Sequence, residues 1–348
     1  MQRTVWRKSV TGFLNDKAVE RLRNAGTLPE FSGTRYILQE FLARGGMGAV
    51  YAAQDKTLNR RVAIKVLDSL DRHSALEERL LREARVLAQL EHPGIVPVHD
   101  AGTLADGRVF YVMKFVEGSR LDQFLNSVSS LPERLRLFLR ICETVSFAHS
   151  RGILHRDLKP SNVMIGAFGE VLVMDWGLAK ILRPGSIERC EETGSSAEPL
   201  SAAVAWDSET QIMSATHDGT VLGTPGFMSP EQAHGKSSSL DARTDIFSLG
   251  KLLEKILPQK DNATAIRVPR ALQAICEKAS AESLTKRYAS VSALAEDISR
   301  FLDGMPVSAY RENLWERAQR FYTRYQAAIL LITVYLLMRA TFVFFGRR

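Results

Sequence analysis

The sequence contains few cysteines, and their spacing excludes two common uses of this residue. Its three cysteines are an odd number, lie far apart and form no Cys-x-x-Cys pair. They are Cys142, Cys190 and Cys276. A disulfide framework and a zinc site are therefore not indicated, and a reducing compartment such as the cytosol fits best. The N-terminal segment likewise lacks the apolar run of a secretory signal.

Acidic residues are outnumbered by basic ones, 39 against 46, so the net charge is +7. This excess favours an anionic partner such as a nucleotide, a nucleic acid or a membrane surface. No nucleic-acid-binding module is recognisable in the sequence, and we expect no nucleic-acid partner. With 348 residues, of which 45% are hydrophobic, the chain can bury a large core and form about two compact units.

Short strand-like segments follow an N-terminal extension predicted over residues 1–33. The runs YILQEFLA, AVYAAQD and RRVAIKVL are separated by glycine-rich or polar turns, which indicates an antiparallel sheet. A helix is predicted next, and Leu80, Leu87 and Leu90 lie on one face of it. Glu83 falls on the same face, where a carboxylate needs a partner. The later sequence is mainly helical, so the predicted fold class is α+β, a small β-rich lobe followed by a larger helical lobe.

A glycine-rich turn joins the first two predicted strands and could bring backbone amides close to phosphate oxygens. It contains Ala43, Gly45, Gly46 and Gly48. An ordinary hairpin turn would also use glycine, so this turn alone is weak evidence for phosphate binding. Lys65 lies in the VAIK segment among apolar neighbours, where an ammonium group needs a carboxylate or a phosphate. Glu83 is the obvious carboxylate, although a purely structural Lys-Glu pair fits the sequence equally well.

The segment HRDLKPSN, residues 155–162, places a carboxylate, an ammonium group and an amide within six positions of a proline-containing loop. Such a group suits phosphoryl transfer: Asp157 can accept the proton of a hydroxyl nucleophile, and Lys159 can neutralise the transferring phosphate. Asn162 can bind a divalent ion. A hairpin is predicted to bring Asp175 back beside this loop, although by itself Asp175 is like any acidic residue at a turn.

Between about Tyr36 and Asp303 several such segments follow one another in a fixed order. They are the glycine turn, VAIK, the helix glutamate, HRDLKPSN, DWG, GTPGFMSPE and TDIFSLG. This ordered set resembles the eukaryotic-type (Hanks-type) serine/threonine protein kinases, including their bacterial membrane-linked members. The resemblance implies a two-lobed protein kinase fold. Its parts would be the kinase domain 34–304, the N-lobe 34–116, the C-lobe 117–304 and an activation segment 175–231 that contains an insert.

The activity that the resemblance implies is transfer of the γ-phosphoryl group of ATP, with Mg²⁺ or Mn²⁺, to serine or threonine hydroxyls of protein substrates. Lys159 within HRDLKPSN is similar to serine/threonine rather than tyrosine kinases. The alternative is a pseudokinase, a nucleotide-binding signalling scaffold with little turnover. The residues that turnover requires are intact, which argues against this alternative.

The resemblance also assigns roles to single residues. Lys65 would hold the α and β phosphates and pair with Glu83. Asn162 and Asp175 would hold the metal ion. The adenine site would consist of Val50, Ala63, Met113, Val116 and Met164, with Met113 as the gatekeeper before the hinge.

Further roles concern the activation segment and the helical lobe. Glu231 of the SPE segment would pair with Arg287, and Asp245 would brace the catalytic loop. Thr224 would lie in the substrate loop near Asp157. These four residues stand where the family pattern has its structural and substrate-binding positions.

Two positions depart from the family pattern, and a third residue suggests regulation. Ala43 replaces the first glycine of the turn, while Trp176 replaces the usual Phe and could favour an inactive arrangement by overpacking. Arg156, beside the catalytic aspartate, implies control by activation-loop phosphorylation. Thr216 and Thr220 are the candidate sites, although unmodified loop threonines fit nearly as well. A dimer that phosphorylates itself in trans is compatible with such control.

The C-terminal sequence is basic and then apolar. Residues 305–326 form a predicted juxtamembrane segment, in which Trp315, Tyr322 and Tyr325 would be interfacial anchors. Residues 327–345, 19 in number and interrupted by Arg339, form a candidate transmembrane helix. It would attach the cytoplasmic kinase domain to the lipid of the inner cell membrane. An amphipathic or core-docked helix is the alternative.

Overall fold

The computed structural model describes most of the two predicted lobes and part of the tail. The described residues are 29–45, 48–67, 75–128, 130–182, 224–235, 240–258, 268–311, 313, 315, 325–326 and 329–340. The insert of the activation segment and most of the predicted extension lie outside the described residues. The same holds for Gly46, Thr216 and Thr220.

An antiparallel five-stranded sheet forms the N-lobe, and the three strand-like runs of the sequence form its first three strands. Its strands are β1 (Tyr36–Arg44), β2 (Gly48–Asp55), β3 (Arg60–Leu67), β4 (Val98–Thr103) and β5 (Val109–Lys114), in the spatial order β1-β2-β3-β5-β4. Helix α1 (Ala75–Gln89) packs against β5, and its predicted stripe of leucines is buried. Glu83 is buried on the same face of α1 and therefore points into the lobe.

The C-lobe is mainly helical. Its helices are α2 (Leu121–Phe124), α3 (Leu131–Ser150), α4 (Pro230–Ala233), α5 (Ala242–Ile256), α6 (Arg270–Ala279) and α7 (Val291–Leu302). Its short strands are β6 (Gly118–Arg120), β7 (Ile153–Leu154), β8 (Val163–Gly166), β9 (Val171–Val173) and β10 (Lys180–Ile181). Strands β6, β8 and β9 form one small sheet, and β7 pairs with β10. These two sheets flank the catalytic loop and fix where it begins and ends.

The packed domain continues past the predicted limits at residues 34 and 304. Before β1, the buried ring of Phe31 lies 5.1 Å from that of Phe110 in an edge-to-face contact. After α7, Val307 is buried, and the backbone N–H of Ser308 donates to Asp297 Oδ1 at 2.7 Å. Both flanking segments are thus held against the folded domain.

The C-terminal tail contains a helix with an apolar surface. Residues 329–340 are helical, and the large apolar side chains from Leu330 to Met338 are 47% to 68% exposed. Within the part of the chain that the structure describes, no helix is both long enough and apolar enough to cross a membrane. Residues 327, 328 and 341–345 of the candidate transmembrane helix lie outside that part.

Candidate active site

Three charged side chains meet between β3, α1 and the segment after β9. Lys65 Nζ lies 2.8 and 2.7 Å from the two carboxylate oxygens of Glu83 and 3.5 Å from Asp175 Oδ1. The side chain of Lys65 is 11% exposed, that of Glu83 1% and that of Asp175 46%. Burial alone would lower the pKa of Lys65, but Glu83 and then Asp175 raise it above its ordinary value. Lys65 is therefore a cation fixed between two carboxylates.

The residues predicted to contact adenine lie on the strands around Lys65. Val50 is the cross-strand partner of Lys65, and Ala63 is the partner of Met113. Cross-strand partners and residues two positions apart share a face of a sheet, so all three side chains lie on the Lys65 side. Val116 and Met164 are half-buried, just after β5 and on β8.

The glycine turn is constrained by strand packing. An added Cβ at Gly48 would lie 2.1 Å from the carbonyl oxygen of Val66, so any larger residue would push β2 away from β3. The Gly45 N–H donates to the Gly48 carbonyl at 2.8 Å and closes the turn. Ala43 lies in β1 beside a register shift. Gly48 is thus required by the sheet itself, whatever its part in phosphate binding.

The catalytic loop is anchored from α5 by the buried carboxylate of Asp245. It accepts the backbone N–H groups of His155 and Arg156, both at 2.8 Å, and it also bonds to His149 Nε2 at 2.7 Å. Burial alone would raise the pKa of Asp245, but these hydrogen bonds, led by that of His149, lower it. Arg156 has φ +70°, a left-handed conformation that costs energy in a non-glycine residue. The two N–H bonds to Asp245 hold the loop in that conformation.

The carboxylate of Asp157 is the centre of a hydrogen-bond network. Lys159 Nζ donates to Asp157 Oδ2 at 2.7 Å and to Thr224 Oγ1 at 2.6 Å. Thr224 Oγ1 in turn donates to Asp157 Oδ1 at 2.8 Å. Asn162 Nδ2 donates to the Asp157 carbonyl at 2.9 Å and to Oδ2 at 3.1 Å. Since Thr224 stands 67 positions after Asp157, the end of the activation segment lies over the catalytic loop.

Trp176 occupies the position where the family usually has Phe, and it is fully buried. Its ring centroid lies 4.6 Å from that of His155, and Nε1 donates to the Val173 carbonyl at 3.2 Å. Asp175 turns with φ +59° and is directed at Lys65. The larger ring is therefore accommodated while the half-exposed Asp175 carboxylate stays within 3.5 Å of Lys65 Nζ.

Oxygen donors of the two predicted metal ligands fit a hard divalent cation. The Met174 N–H donates to the Asn162 carbonyl at 2.7 Å, which places Asn162 beside the backbone next to Asp175. Because Asn162 Nδ2 donates to Asp157, the amide oxygen is directed away from that carboxylate. No group of three or more His, Cys, Asp or Glu side chains that could hold a metal occurs among the described residues. One carboxylate and one amide suit an ion that also binds phosphate oxygens.

A buried ion pair fixes the end of the activation segment to the C-lobe. Arg287 Nη1 and Nη2 donate to Glu231 Oε1 and Oε2 at 2.7 and 2.9 Å, as the sequence predicts. Burial would raise the pKa of Glu231, but the hydrogen bonds from Arg287 lower it. The next residue, Gln232, donates through Nε2 to the Arg156 carbonyl at 2.8 Å. Helix α4 is therefore tied to both the C-lobe and the catalytic loop.

Three arginines form a basic group beside the catalytic loop. Arg156 is 5% exposed, and among the described residues its buried Nε has no hydrogen-bond partner. Burial lowers the pKa of Arg156, and Arg82 and Arg79 of α1 lower it further, while Asp245 acts in the opposite direction. Burial and Arg79 also lower the pKa of Arg82. Guanidinium groups that destabilise one another's charge favour a polyanionic partner.

Sequence reasoning missed three residues of this site. Arg79 and Arg82 are three positions apart on α1, a spacing that puts both on one helix face, so helical periodicity could have found them. Tyr111 OH donates to Glu83 Oε1 at 2.9 Å. An aromatic residue in a buried strand more often belongs to the core, and only the pairing of β3 with β5 shows that Tyr111 faces Lys65.

Comparison with known proteins agrees with this geometry. Residues 36–309 match the protein kinase domain family. Serine/threonine-protein kinase PknD of Chlamydia trachomatis serovar D is 33% identical over 335 positions, covering 85% of this chain and 34% of that protein. PknD of Protochlamydia amoebophila is 34% identical over 344 positions, covering 86% of this chain and 34% of that protein. The chain thus spans about a third of the length of the curated relatives it matches.

A solved structure shows the same fold. The Mycobacterium tuberculosis PknI kinase domain superimposes with a TM-score of 0.52 at 23% identity, covering 78% of this chain and 99% of that one. The family match, the curated relatives and the arrangement around Asp157 lead to one assignment. The chain belongs to the Hanks-type serine/threonine protein kinases and carries their kinase domain over residues 36–309.

Proposed function

We propose that this chain is an active kinase that transfers the γ-phosphoryl group of ATP to serine or threonine hydroxyls of protein substrates. The network of Asp157, Lys159 and Thr224 carries the proposal. In it a carboxylate is held by an ammonium group and by a hydroxyl of the predicted substrate loop. An acceptor hydroxyl that docks beside Thr224 would lie within reach of a base and of a cation.

Each charged residue has a distinct part in the proposed reaction. Asp157 accepts the proton of the acceptor hydroxyl while the hydroxyl oxygen forms a bond to the γ phosphorus. The bond from that phosphorus to the bridging oxygen breaks, and ADP leaves with the electron pair. Lys159 neutralises the moving charge, and Lys65, held by Glu83, orients the ATP phosphates. A bound Mg²⁺ or Mn²⁺ would neutralise phosphate oxygens, held by the oxygen ligands Asn162 and Asp175.

The pseudokinase alternative finds no support in the described site. The Lys65–Glu83 pair is formed, and the Asp157 carboxylate has both a cation and a hydroxyl beside it. Buried Trp176 leaves Asp175 directed at Lys65. A scaffold without turnover would not require these contacts together.

The expected acceptor class can be measured with peptide libraries that contain serine, threonine or tyrosine as their single hydroxyl acceptor. With γ-labelled ATP and Mg²⁺, we expect transfer to serine and threonine peptides and little to tyrosine peptides, because Lys159 within HRDLKPSN is similar to serine/threonine rather than tyrosine kinases. The Lys65→Met variant is the control for contaminating kinases. Absence of transfer to all three libraries, or equal transfer to tyrosine, contradicts the proposal.

Phosphorylation of the activation segment would regulate this site. The three arginines near the catalytic loop provide a place for a phosphate, and Arg156 is joined through its own backbone to Asp245 and Gln232. A phosphate bound there would hold the activation segment against both the catalytic loop and α1. Thr216 and Thr220 are the candidate positions, and a second copy of the chain could supply the phosphate in trans.

The C-terminal helix would hold the chain at the inner face of the cell membrane, with the kinase domain in the cytoplasm, where ATP is present. Two features support this proposal. The helix at residues 329–340 exposes its apolar side chains, and arginines alternate with aromatic residues in the segment before it. Such a segment suits a surface of anionic lipid headgroups, and an apolar helix suits the acyl region.

Flotation with anionic lipid vesicles tests the membrane proposal. We expect the full chain to float with the vesicles and to resist a high-salt wash, because burial of apolar side chains is not screened by salt. A variant that ends at residue 326 should float less and be released by salt. Recovery of the full chain entirely in the protein fraction, without vesicles, contradicts membrane attachment.

A further inference from the structure

Tyr111 lies beside the Lys65–Glu83 contact and bonds to its carboxylate. In the pairing of β3 with β5, Tyr111 is directly opposite Lys65, so both side chains lie on one face of the sheet. The Tyr111 side chain is buried, with the residue 2% exposed, and its hydroxyl donates to Glu83 Oε1 at 2.9 Å. Glu83 therefore receives hydrogen bonds from two neighbouring strands of the same sheet.

The two donors to Glu83 differ in what else they must do. Lys65 Nζ contacts both Glu83 oxygens and also lies 3.5 Å from Asp175, and it must share its protons with ATP phosphates during the proposed reaction. Tyr111 has no such second task in the described site. Burial and then the charge of Glu83 raise the pKa of Tyr111 well above its ordinary value, so its hydroxyl remains a donor. A carboxylate that is 1% exposed needs such a permanent donor.

We propose that Tyr111 is a positioning residue for ATP: its hydroxyl holds the Glu83 carboxylate toward Lys65 and thereby keeps α1 packed inward on the sheet. The inference rests on the proposed kinase function, because Lys65 is taken to bind the phosphates. It adds a residue on β5 to a contact that otherwise involves only β3 and α1. Without the hydroxyl, Glu83 would be held by Lys65 alone, and any pull of phosphate on Lys65 would weaken the contact.

The Tyr111→Phe variant removes the hydroxyl and keeps the ring. We expect the KM for ATP to rise on the order of tenfold, equal to about 1.4 kcal/mol at 25 °C, because one hydrogen bond to a buried charge is lost. The KM for the acceptor peptide should stay unchanged. A similar KM for ATP in the variant and the unmodified protein overturns the proposal.

Tyr288→Phe is a matched control for loss of a buried hydroxyl. Tyr288, which lies in the segment between α6 and α7, donates through its OH to Asp297 Oδ2 on α7 at 2.8 Å, a tyrosine–carboxylate contact of the same kind. We expect Tyr288→Phe to lower the unfolding temperature without changing the KM for ATP. An equal change of that KM in both variants would mean that Tyr111 acts only through stability, and it would also overturn the proposal.

A double-mutant cycle with Glu83→Ala isolates the contact. The equilibrium affinity for a fluorescent ATP analogue is measured for the unmodified protein, both single variants and the double variant. Tyr111→Phe should weaken affinity severalfold when Glu83 is present and have no effect when it is absent. An equal effect in both backgrounds contradicts the positioning role. The cycle measures binding and does not require turnover. If the unmodified protein binds ATP but transfers no phosphate, the proposed function is contradicted, while the role of Tyr111 can still be tested.

Discussion

Replacement of Asp157 by asparagine is expected to lower kcat by on the order of 10²- to 10⁴-fold, the range that general-base catalysis supplies. Asparagine has nearly the same shape, and its amide oxygen can still accept the hydrogen bond from Lys159, while its amide nitrogen can donate to Thr224 Oγ1. It cannot take up the proton of the acceptor hydroxyl. The affinity for ATP should change little, because no ATP-binding role is assigned to this side chain.

The measurement is the initial rate of label transfer from γ-labelled ATP to a serine peptide, together with the ATP affinity and the unfolding temperature. Asp303→Asn is the control, since Asp303 is an exposed residue just after α7 and far along the chain from the catalytic loop. It should retain the full rate. Equal rates in Asp157→Asn and the unmodified protein would refute Asp157 as the base and would support a nucleotide-binding scaffold.

The contact of Lys65 with Glu83 could be predicted because both residues stand in unfavourable places without it. A lysine between apolar strand residues and a glutamate on a leucine stripe each need a buried partner of opposite charge. Helical and strand periodicity were sufficient to put both side chains toward the same core. The first three strands of the sheet followed from short strand-like runs separated by glycine-rich or polar turns.

Contacts that depend on the path of the chain could not be predicted in the same way. Thr224 reaches Asp157 across 67 positions, and no local pattern encodes that return, so only the family resemblance implied that Thr224 lies near Asp157. The effect of Trp176 depends on the space beside His155, which only packing defines. From the sequence, Tyr111 could not be distinguished from an aromatic residue of the core. Its position opposite Lys65 follows from strand register, and hydrophobicity alone does not give the register when neighbouring strands are buried on both faces.

Arg156→Met is expected to abolish most of the activation that phosphorylation of the activation segment produces. A phosphate near three guanidinium groups would form several charge-assisted hydrogen bonds, each worth about 1.5–3 kcal/mol. If one such bond favours the active arrangement, phosphorylated protein should be roughly 10 to 100 times more active than dephosphorylated protein. In Arg156→Met this ratio should fall toward one, while the activity of the dephosphorylated form stays within a few fold.

The ratio is measured on autophosphorylated protein before and after phosphatase treatment, with phosphorylated positions mapped by mass spectrometry. Arg79→Met and Arg82→Met should each lower the ratio in part, because each removes one of the three charges. Arg85→Met is the control, since Arg85 is on α1 but exposed. Absence of phosphate from both Thr216 and Thr220 would show that neither is the regulatory position. An unchanged ratio in Arg156→Met would show that the three arginines do not mediate the regulation. Phosphorylation in trans adds a kinetic signature, because the rate per molecule should then rise with protein concentration.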